Sequence, residues 1–501
     1  MRMNPLKHNV PGSWIVLGLT VAALSMRLPF MTHYLYHWDS VNFALSLERY
    51  DVRLQQPHPP GYVLYSALGS IVNAVVHEAN TSLVLLSVIG GVAGVIAMYW
   101  IGRHMFNRRI GLIAAFLTIA SPIQWFHSEV ALSYTLEFAL VTVVAGLCYR
   151  QLVGHSRCWL LTAIAIGLAG GVRQNDLVLL FPLWLVSVWT LTWKHRILSL
   201  IALATVCLAW MTPMVALSGG LNGYVLAFHN VSDTVFAESS FFDVQQILVN
   251  ATRLAIYLGY GIMFGGIVLA LAAVAFMRDI LTWPRDKHTW LFVLWIVPSL
   301  LFYVFIHLRQ PGHVFTFLPG VILLVAVAID ALGTKLFNAE QRAIALMTGV
   351  ILAVDVVFFM LAPASLFGSE TLPMQTMSRR KLAQRDQILG ERLSYVRAHF
   401  DPAATVVYAA NPDQRHMDFY LRDYQSPSIS YELCNTTWIL PPEVKTLLLF
   451  NEHALPDLKA DVPLQQARLP SGALIRYYTW STGSNALLNQ KRLHTGAHAS
   501  R

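Results

Sequence analysis

Hydrophobic and polar positions fall in long blocks along this chain. Apolar runs occupy Ser13 to Phe30, Ser82 to Ile101, Ile110 to Phe126, Tyr134 to Tyr149, Trp159 to Val172, Leu177 to Trp193, Ile197 to Leu217, Leu254 to Met277, Thr289 to His307, Val314 to Leu332 and Ala343 to Leu361. Each is long enough, or nearly so, to cross about 30 Å of hydrocarbon. Backbone groups in lipid must be satisfied within their own segment, so the runs predict a bundle of about eleven transmembrane helices. The first run is too long, and lacks a small-residue cleavage site before Leu28-Pro29-Phe30, for a removable signal peptide. It is expected to remain as a span.

Two stretches break this pattern. From Thr32 to Asn80 the chain is polar, aromatic and proline-bearing, with His37-Trp38-Asp39, Tyr50-Asp51 and Gln56-Pro57-His58-Pro59-Pro60-Gly61-Tyr62, whereas most later loops are short. Within it, Gly61 to Val76 carries Ser66, Ser70 and Asn73, and is expected to lie as a helix in the outer interface, started by Pro59-Pro60. A smaller interfacial excursion is expected around Leu217 to Asn250. After Leu361 the composition turns polar. A helical stretch, Gln384 to Phe400, ends at Asp401-Pro402, and strand-like runs follow at Thr405 to Ala409, Thr446 to Phe450 and Ala473 to Trp480. The expected organisation is a membrane domain over 1–365, with its first outer loop at 31–80, a small α/β domain over 366–480, and a frayed end over 481–501.

Composition agrees with this class. Hydrophobic residues make up 55% of the 501 positions and charged residues 12%, against about 25% charged in soluble domains, and the mean hydropathy is +0.52. Lys and Arg set the orientation. With Arg2 and Lys7 cytoplasmic, the same side holds Arg103, Arg108, Arg109, Arg150, Arg157, Lys194, Arg196, Arg278, Arg285, Lys287, Lys335 and Arg342. The opposite loops hold only Arg27, Arg49, Arg53, Arg173, Arg253 and Arg309. The first loop and the C-terminal domain then lie outside the cytoplasm, and the net charge of +8 needs no nucleic-acid partner. Four cysteines, three of them in or beside helices, offer no disulfide framework.

On this topology Asp39, Asp51, His58, Glu129, Arg173, Gln174, Arg309 and His313 all fall on the outer side. Ionisable groups near lipid are costly and tend to face cavities or one another. Asp39, between Trp38 and Ser40, has the setting of a general base for an acceptor hydroxyl, or of a helix cap ahead of Val41 to Leu47. Asp51 has the setting of a turn residue. His58, its backbone restricted by the following proline, could serve a phosphate or, with Asp39, a divalent metal; two ligands alone do not make a metal site. Glu129, or Glu137 two turns further on, could complete an acidic pocket. The run ahead of Arg173 covers only about 21 Å of helix at 1.5 Å per residue. Arg173-Gln174 should therefore sit at or below the outer interface, where the arginine needs an anion, either Asp176 or a ligand. Arg309 to His313 form an equivalent turn. Two guanidinium turns on one cavity would suit a lipid-linked phosphate, which they can grip bidentately.

Taken in order, Trp38-Asp39 after the first span, His58-Pro59-Pro60-Gly61-Tyr62, the interfacial helix, and a basic turn from Gly102 to Arg109 resemble the C-type glycosyltransferase superfamily over residues 10–365. The likeness is to the bacterial relatives of protein mannosyltransferases and lipid A aminoarabinose transferases. The resemblance implies sugar transfer from a polyprenyl-phosphate donor, with Asp39 in the place of the loop acid and His58 in that of a Lys or His beside the donor. Ser40 stands where relatives carry a second acid, and Pro57 where some carry Glu.

The expected function is an inverting transfer from a polyprenyl-phosphate-linked sugar to a lipid, glycan or protein acceptor, on the periplasmic side of a bacterial inner membrane. Asp39 is the expected base; His58, Arg173, Arg309 and His313 bind donor phosphate; Trp38, Tyr62, Glu129 and Gln174 line the pocket. No cofactor is called for beyond a candidate divalent metal. The rival expectation, a translocator of lipid-linked sugars, predicts broken helices, polar groups at the membrane midplane and two related halves; the chain shows no internal repeat.

Overall fold

The structure, a computed structural model, describes residues 11–490 apart from 238–242, 278–285, 307, 309, 338–340, 363–375, 410–412, 426–436, 440–442, 452–457, 460–461 and 481–486. It divides into two compact units: Met1–Met31 with Ser46–Arg380, and Thr32–Leu45 with Lys381–Arg501.

The first unit is helical. In chain order it holds α1 (Gly12–Ser25), the end of α2 (Trp38–Glu48), α3 (Val63–Val76), α4 (Ala79–Met105), α5 (Arg108–Ala120), α6 (Pro122–Ser128), α7 (Tyr134–Leu152), α8 (Trp159–Val172) and α9 (Gln174–Trp189). There follow α10 (Trp193–Leu217), α11 (Gly220–Ala237), α12 (Val244–Ile262), α13 (Gly265–Ala275), α14 (Lys287–Phe305), α15 (Leu318–Phe337) and α16 (Gln341–Leu361). Among the described residues seven helices are long and apolar enough to cross a bilayer, or nine crossings if each of two bent pairs counts as one. Among the described residues each of the apolar runs lies mainly on helices, α8 and α9 being shorter than a full span. This is a multi-pass membrane protein. At its centre α4 packs against α5 and α7. Gly90 allows the crossing with α7, since a Cβ there would stand 2.6 Å from the Leu136 amide nitrogen.

Two runs expected as single helices are broken. The run Ile110 to Phe126 bends by 61° between α5 and α6. Ser121 leaves the helical region at ψ 117, as a residue before proline tends to do, and Pro122 opens α6. The run Leu254 to Met277 bends by 99° between α12 and α13, where Met263 takes φ 38, ψ −119. The expected helix from Gly61 forms as α3, starting two residues later because Tyr62 stands at φ 42.

The second unit is α/β. It holds α17 (Arg379–His399, from Lys381 on), β1 (Thr405–Tyr408), α18 (Gln414–Tyr420), β2 (Thr437–Ile439), β3 (Thr446–Leu449), β4 (Leu458–Lys459), β5 (Gln465–Arg468), β6 (Leu474–Thr479) and β7 (Leu487–Gln490). One sheet has the order β1-β3-β6-β5, with β1 parallel to β3 and the other pairs antiparallel. The order in the other is β2-β7-β4. Leu389, Leu393 and Val396 of α17 close a core with Val407, Leu448, Phe450 and Ile475. Thr32–Leu45, from the first loop, belongs to this unit.

Candidate active site

In the membrane unit the first loop is folded back on itself at Asp51. The Asp51 amide donates to the Gln56 carbonyl (2.7 Å), and the Gln56 amide donates in return (3.1 Å). Arg53 grips the Asp51 carboxylate with Nε (3.0 Å) and Nη2 (2.7 Å), and these bonds hold the carboxyl below its ordinary range. Asp51 is thus a turn residue, as its sequence setting suggests. Gly61 takes φ +122, and a Cβ there would meet Tyr50 Oη at 2.8 Å and Met214 Sδ at 2.9 Å, so the position requires glycine. Tyr50 Oη donates to the Gly61 carbonyl (2.6 Å) and Tyr224 Oη to that of Pro60 (2.9 Å). This fixes the element His58 to Tyr62, whose two rings lie 4.8 Å apart.

Arg173 meets that element. The break between α8 and α9 leaves it extended at φ −144, ψ 113, and its side chain is 6% exposed. Its guanidinium carbon lies 5.4 Å from the Tyr62 ring and 4.4 Å from that of Tyr134. The anion it meets is Glu137 of α7, Oε2 to Nε at 2.9 Å, and Nη1 donates to Ser133 Oγ (3.2 Å). The sequence points to Asp176 as its protein partner. Asp176 is close by instead through Thr316, whose hydroxyl is 2.8 Å from Glu137 Oε1 and 3.4 Å from Asp176 Oδ1. Tyr303 Oη lies 3.2 Å from the same hydroxyl and stacks its ring on His313 at 5.3 Å. His313 in turn lies 6.4 Å from Tyr134. His58, Tyr62, Arg173 and His313 are therefore joined through Tyr134, Glu137, Thr316 and Tyr303. One guanidinium faces two buried acids.

Other expected residues stand differently. Gln174 donates from Nε2 to Met214 Sδ (3.7 Å), on the side of Gly61. Glu129, fully buried, has Arg379 and Arg27 as its nearby cations, and Arg27 Nε donates to Ser128 Oγ (3.1 Å). Its electrostatic partners are thus not Arg173. Arg309 lies outside the described residues. Trp38 and Asp39 belong to the second unit. There Asp39 stands inside the first turn of α2, not at its cap: the His37 carbonyl accepts from the Val41 amide (3.2 Å), and the Asp39 amide donates to His37 Nδ1 (3.1 Å). An acid in the first turn faces the positive end of the helix dipole. Among the described residues no three His, Cys, Asp or Glu side chains are grouped to hold a metal ion.

Comparison with known proteins gives these features a context. Residues 57–216 match the family of dolichyl-phosphate-mannose-protein mannosyltransferases. Protein O-mannosyl-transferase tmem260 of Dictyostelium discoideum is 25% identical over 283 residues, 49% of this chain, and the match spans only 35% of that relative's length. Among solved structures, ArnT from Cupriavidus metallidurans bound to undecaprenyl phosphate is similar with a TM-score of 0.54 at 12% identity, over 94% of this chain and 97% of that one. Its apo state gives 0.55 at 13% identity, over 93% and 98%. The Archaeoglobus fulgidus oligosaccharyltransferase in its apo form gives 0.51 at 12% identity, over 89% and 70%. The chain has the C-type glycosyltransferase fold, and the stretch carrying His58, Tyr62, Arg173 and Gln174 conforms to the mannosyltransferase family.

Proposed function

We propose that this protein is a membrane glycosyltransferase that moves a sugar from a polyprenyl-phosphate donor to a lipid, glycan or protein acceptor, with inversion at the anomeric carbon. One observation carries the proposal. The stretch that matches the mannosyltransferases, residues 57–216, contains both the His58 to Tyr62 element and Arg173, and the two meet, with Arg173 5.4 Å from Tyr62. Undecaprenyl phosphate in the fold relative ArnT supports the donor class. The excess of Lys and Arg on one side supports a periplasmic site in a bacterial inner membrane, with the N-terminus cytoplasmic.

In this mechanism Asp39 takes the acceptor's proton as its oxygen attacks the anomeric carbon, and the bond to the phosphate breaks on the opposite face. The polyprenyl monophosphate leaves with the added negative charge. His58, Arg173, Arg309 and His313 stabilise it, Arg173 being held in orientation by Glu137 and Ser133. Tyr62 and Gln174 shape the donor side around Arg173, and Trp38 precedes the base Asp39. Residues 1–365 supply the transferase core, apart from Thr32–Leu45, which belong to the C-terminal unit, and 366–480 the outer domain.

The test is release of undecaprenyl phosphate from mannosyl, glucosyl and aminoarabinosyl undecaprenyl phosphates in cell membranes, for the wild type and Asp39→Asn. A loss of at least 10²-fold in the variant is expected, the order of a general-base contribution; an unchanged rate removes Asp39 from the chemistry. A second reading, translocation of the lipid-linked sugar, draws on the bends of 61° and 99°, because broken helices are a transporter feature. It predicts transbilayer movement of an intact donor in proteoliposomes without release of the carrier phosphate.

A further inference from the structure

We infer that the C-terminal unit is the platform that positions Asp39, with His416 and Tyr420 of α18 as its positioning residues; the inference rests on the reading of Asp39 as the base. The first loop hands Thr32–Leu45 to this unit, and almost every residue leading to Asp39 is held there. Asp386 of α17 accepts the backbone amides of His33 (2.7 Å) and Tyr34 (3.2 Å). Leu35, fully buried, is gripped at both its backbone groups. Its N–H donates to Tyr420 Oη (2.9 Å), and its carbonyl accepts from His416 Nε2 (2.8 Å). The Arg385 guanidinium covers the Tyr36 ring at 5.1 Å, and that of Arg415 covers Trp38 at 5.6 Å. His37 then closes the turn, its amide donating to Ser40 Oγ (3.3 Å) while its carbonyl and Nδ1 accept from Val41 and Asp39.

Local forces alone would not hold the acid in place. An isolated helix of the 11 residues of α2 is marginal in water, where stable helices need about 12–15 residues. A base must also come within hydrogen-bond reach of its proton, and a misplacement of about 1 Å can cost on the order of 10²-fold in rate. The grip on Leu35 is the kind of constraint that supplies this, because it is made to backbone. It fixes where the chain enters α2 whatever the side chains around it do. His416 is fully buried, and its ring is fixed by donating from Nε2. A glutamine there keeps an N–H donor on a side chain of similar reach, whereas a leucine keeps the bulk and loses the bond.

The experiment uses the full chain in nanodiscs, as wild type, His416→Leu, His416→Gln, Tyr420→Phe and Asp39→Asn. Amide hydrogen exchange over 33–41 is measured alongside turnover of whichever of the three undecaprenyl-phosphate sugars the wild type consumes. For His416→Leu and Tyr420→Phe we expect faster exchange at 35–41 and kcat lowered about ten-fold or more, with KM for the donor within about two-fold. His416→Gln should restore most of both. A merely structural role would lower the folded fraction and leave kcat per folded molecule and the glutamine rescue unmoved. The inference is overturned if exchange is unchanged in His416→Leu, or if exchange rises while kcat stays at the wild-type value. Asp39→Asn separates the two levels. Wild-type turnover in that variant refutes Asp39 as base, whereas an inactive Asp39→Asn beside a fully active His416→Leu refutes the platform alone.

Discussion

Replacing Arg173 should cost far more than replacing its ion-pair partner, although the two form one contact. Glu137 is fully buried and Arg173 6% exposed, with 2.9 Å between them. Breaking a buried pair typically costs about 3–5 kcal/mol, because one charge is left without compensation. Here the two halves are not equivalent. In Glu137→Gln the Thr316 hydroxyl can still donate to the amide oxygen at the place it now donates to Oε1, and Asp176, which lies against the same hydroxyl, remains as a second acid able to pair with the guanidinium. The loss should be near that of one charged hydrogen bond, about 1.5–3 kcal/mol. In Arg173→Met two acids face each other with no cation, and the cost should reach about 3–5 kcal/mol. The double variant leaves a single carboxyl. It should be more stable than Arg173→Met alone, giving a strongly non-additive cycle, by about 2 kcal/mol or more. Equilibrium unfolding in mixed micelles reads all four proteins. Equal losses in the single variants, or a double variant equal to their sum, would show that Asp176 and Glu137 do not share the guanidinium.

Two further outcomes follow from other sites. Gly61→Ala places a methyl 2.8 Å from Tyr50 Oη at φ +122; backbone strain alone costs about 1–3 kcal/mol, so the unfolding midpoint should fall and carrier-phosphate release with it, while unchanged values would mean that the turn adapts. In the C-terminal unit burial, then Arg385, lower the His416 pKa from 6.5 to about 4, with Asp413 and the Leu35 carbonyl opposing and His37 assisting. The folded unit therefore refuses a proton that the unfolded chain takes, so this contribution is complete above about pH 6.5 and is lost as pH falls toward 4, on the order of 3 kcal/mol in total. Intrinsic-rate-corrected hydrogen exchange of α18 between pH 7 and 4 should show that slope in the wild type and lose it in His416→Gln.

The sequence announces the membrane helices because hydrocarbon imposes a length and an apolarity that few other environments require. The bends are less visible. Pro122 is a local signal for the first, since the residue before it avoids the helical region; Gly259, Gly261, Gly265 and Gly266 flank Met263 at the second, but glycine is common in membrane helices and does not by itself specify a bend. Strands β1, β3 and β6 show as apolar and β-branched runs, whereas β5 is exposed along most of its length and carries no such pattern. The short run before Arg173 places that residue low in the interface, but its partner is Glu137. Neighbours in sequence favour Asp176; the packing of α7 against α8 and α9 decides otherwise, and packing between distant segments has no local pattern to betray it. For the same reason Thr316 and Tyr303 escape notice. So does the membership of Thr32–Leu45 in the C-terminal unit, which depends on bonds between residues more than three hundred positions apart, such as Leu35 and His416.

The network around Arg173 is a poor way to stabilise a membrane bundle. Removing charges from water costs several kcal/mol per ion, and apolar side chains of similar volume would often do as well or better. Two acids for one guanidinium make the balance worse. What such a network does supply is orientation. Glu137 and Ser133 take Nε and Nη1 of Arg173, and the Tyr62 and Tyr134 rings cover the guanidinium, so its remaining donors are fixed before anything binds. A phosphate that gains charge as its sugar departs is stabilised most by donors that need not reorganise at that moment. On the proposed reading, in which Arg173 receives the departing phosphate, the energy lost in burying Arg173 and its acids would be offset by a gain in rate that an apolar core could not give.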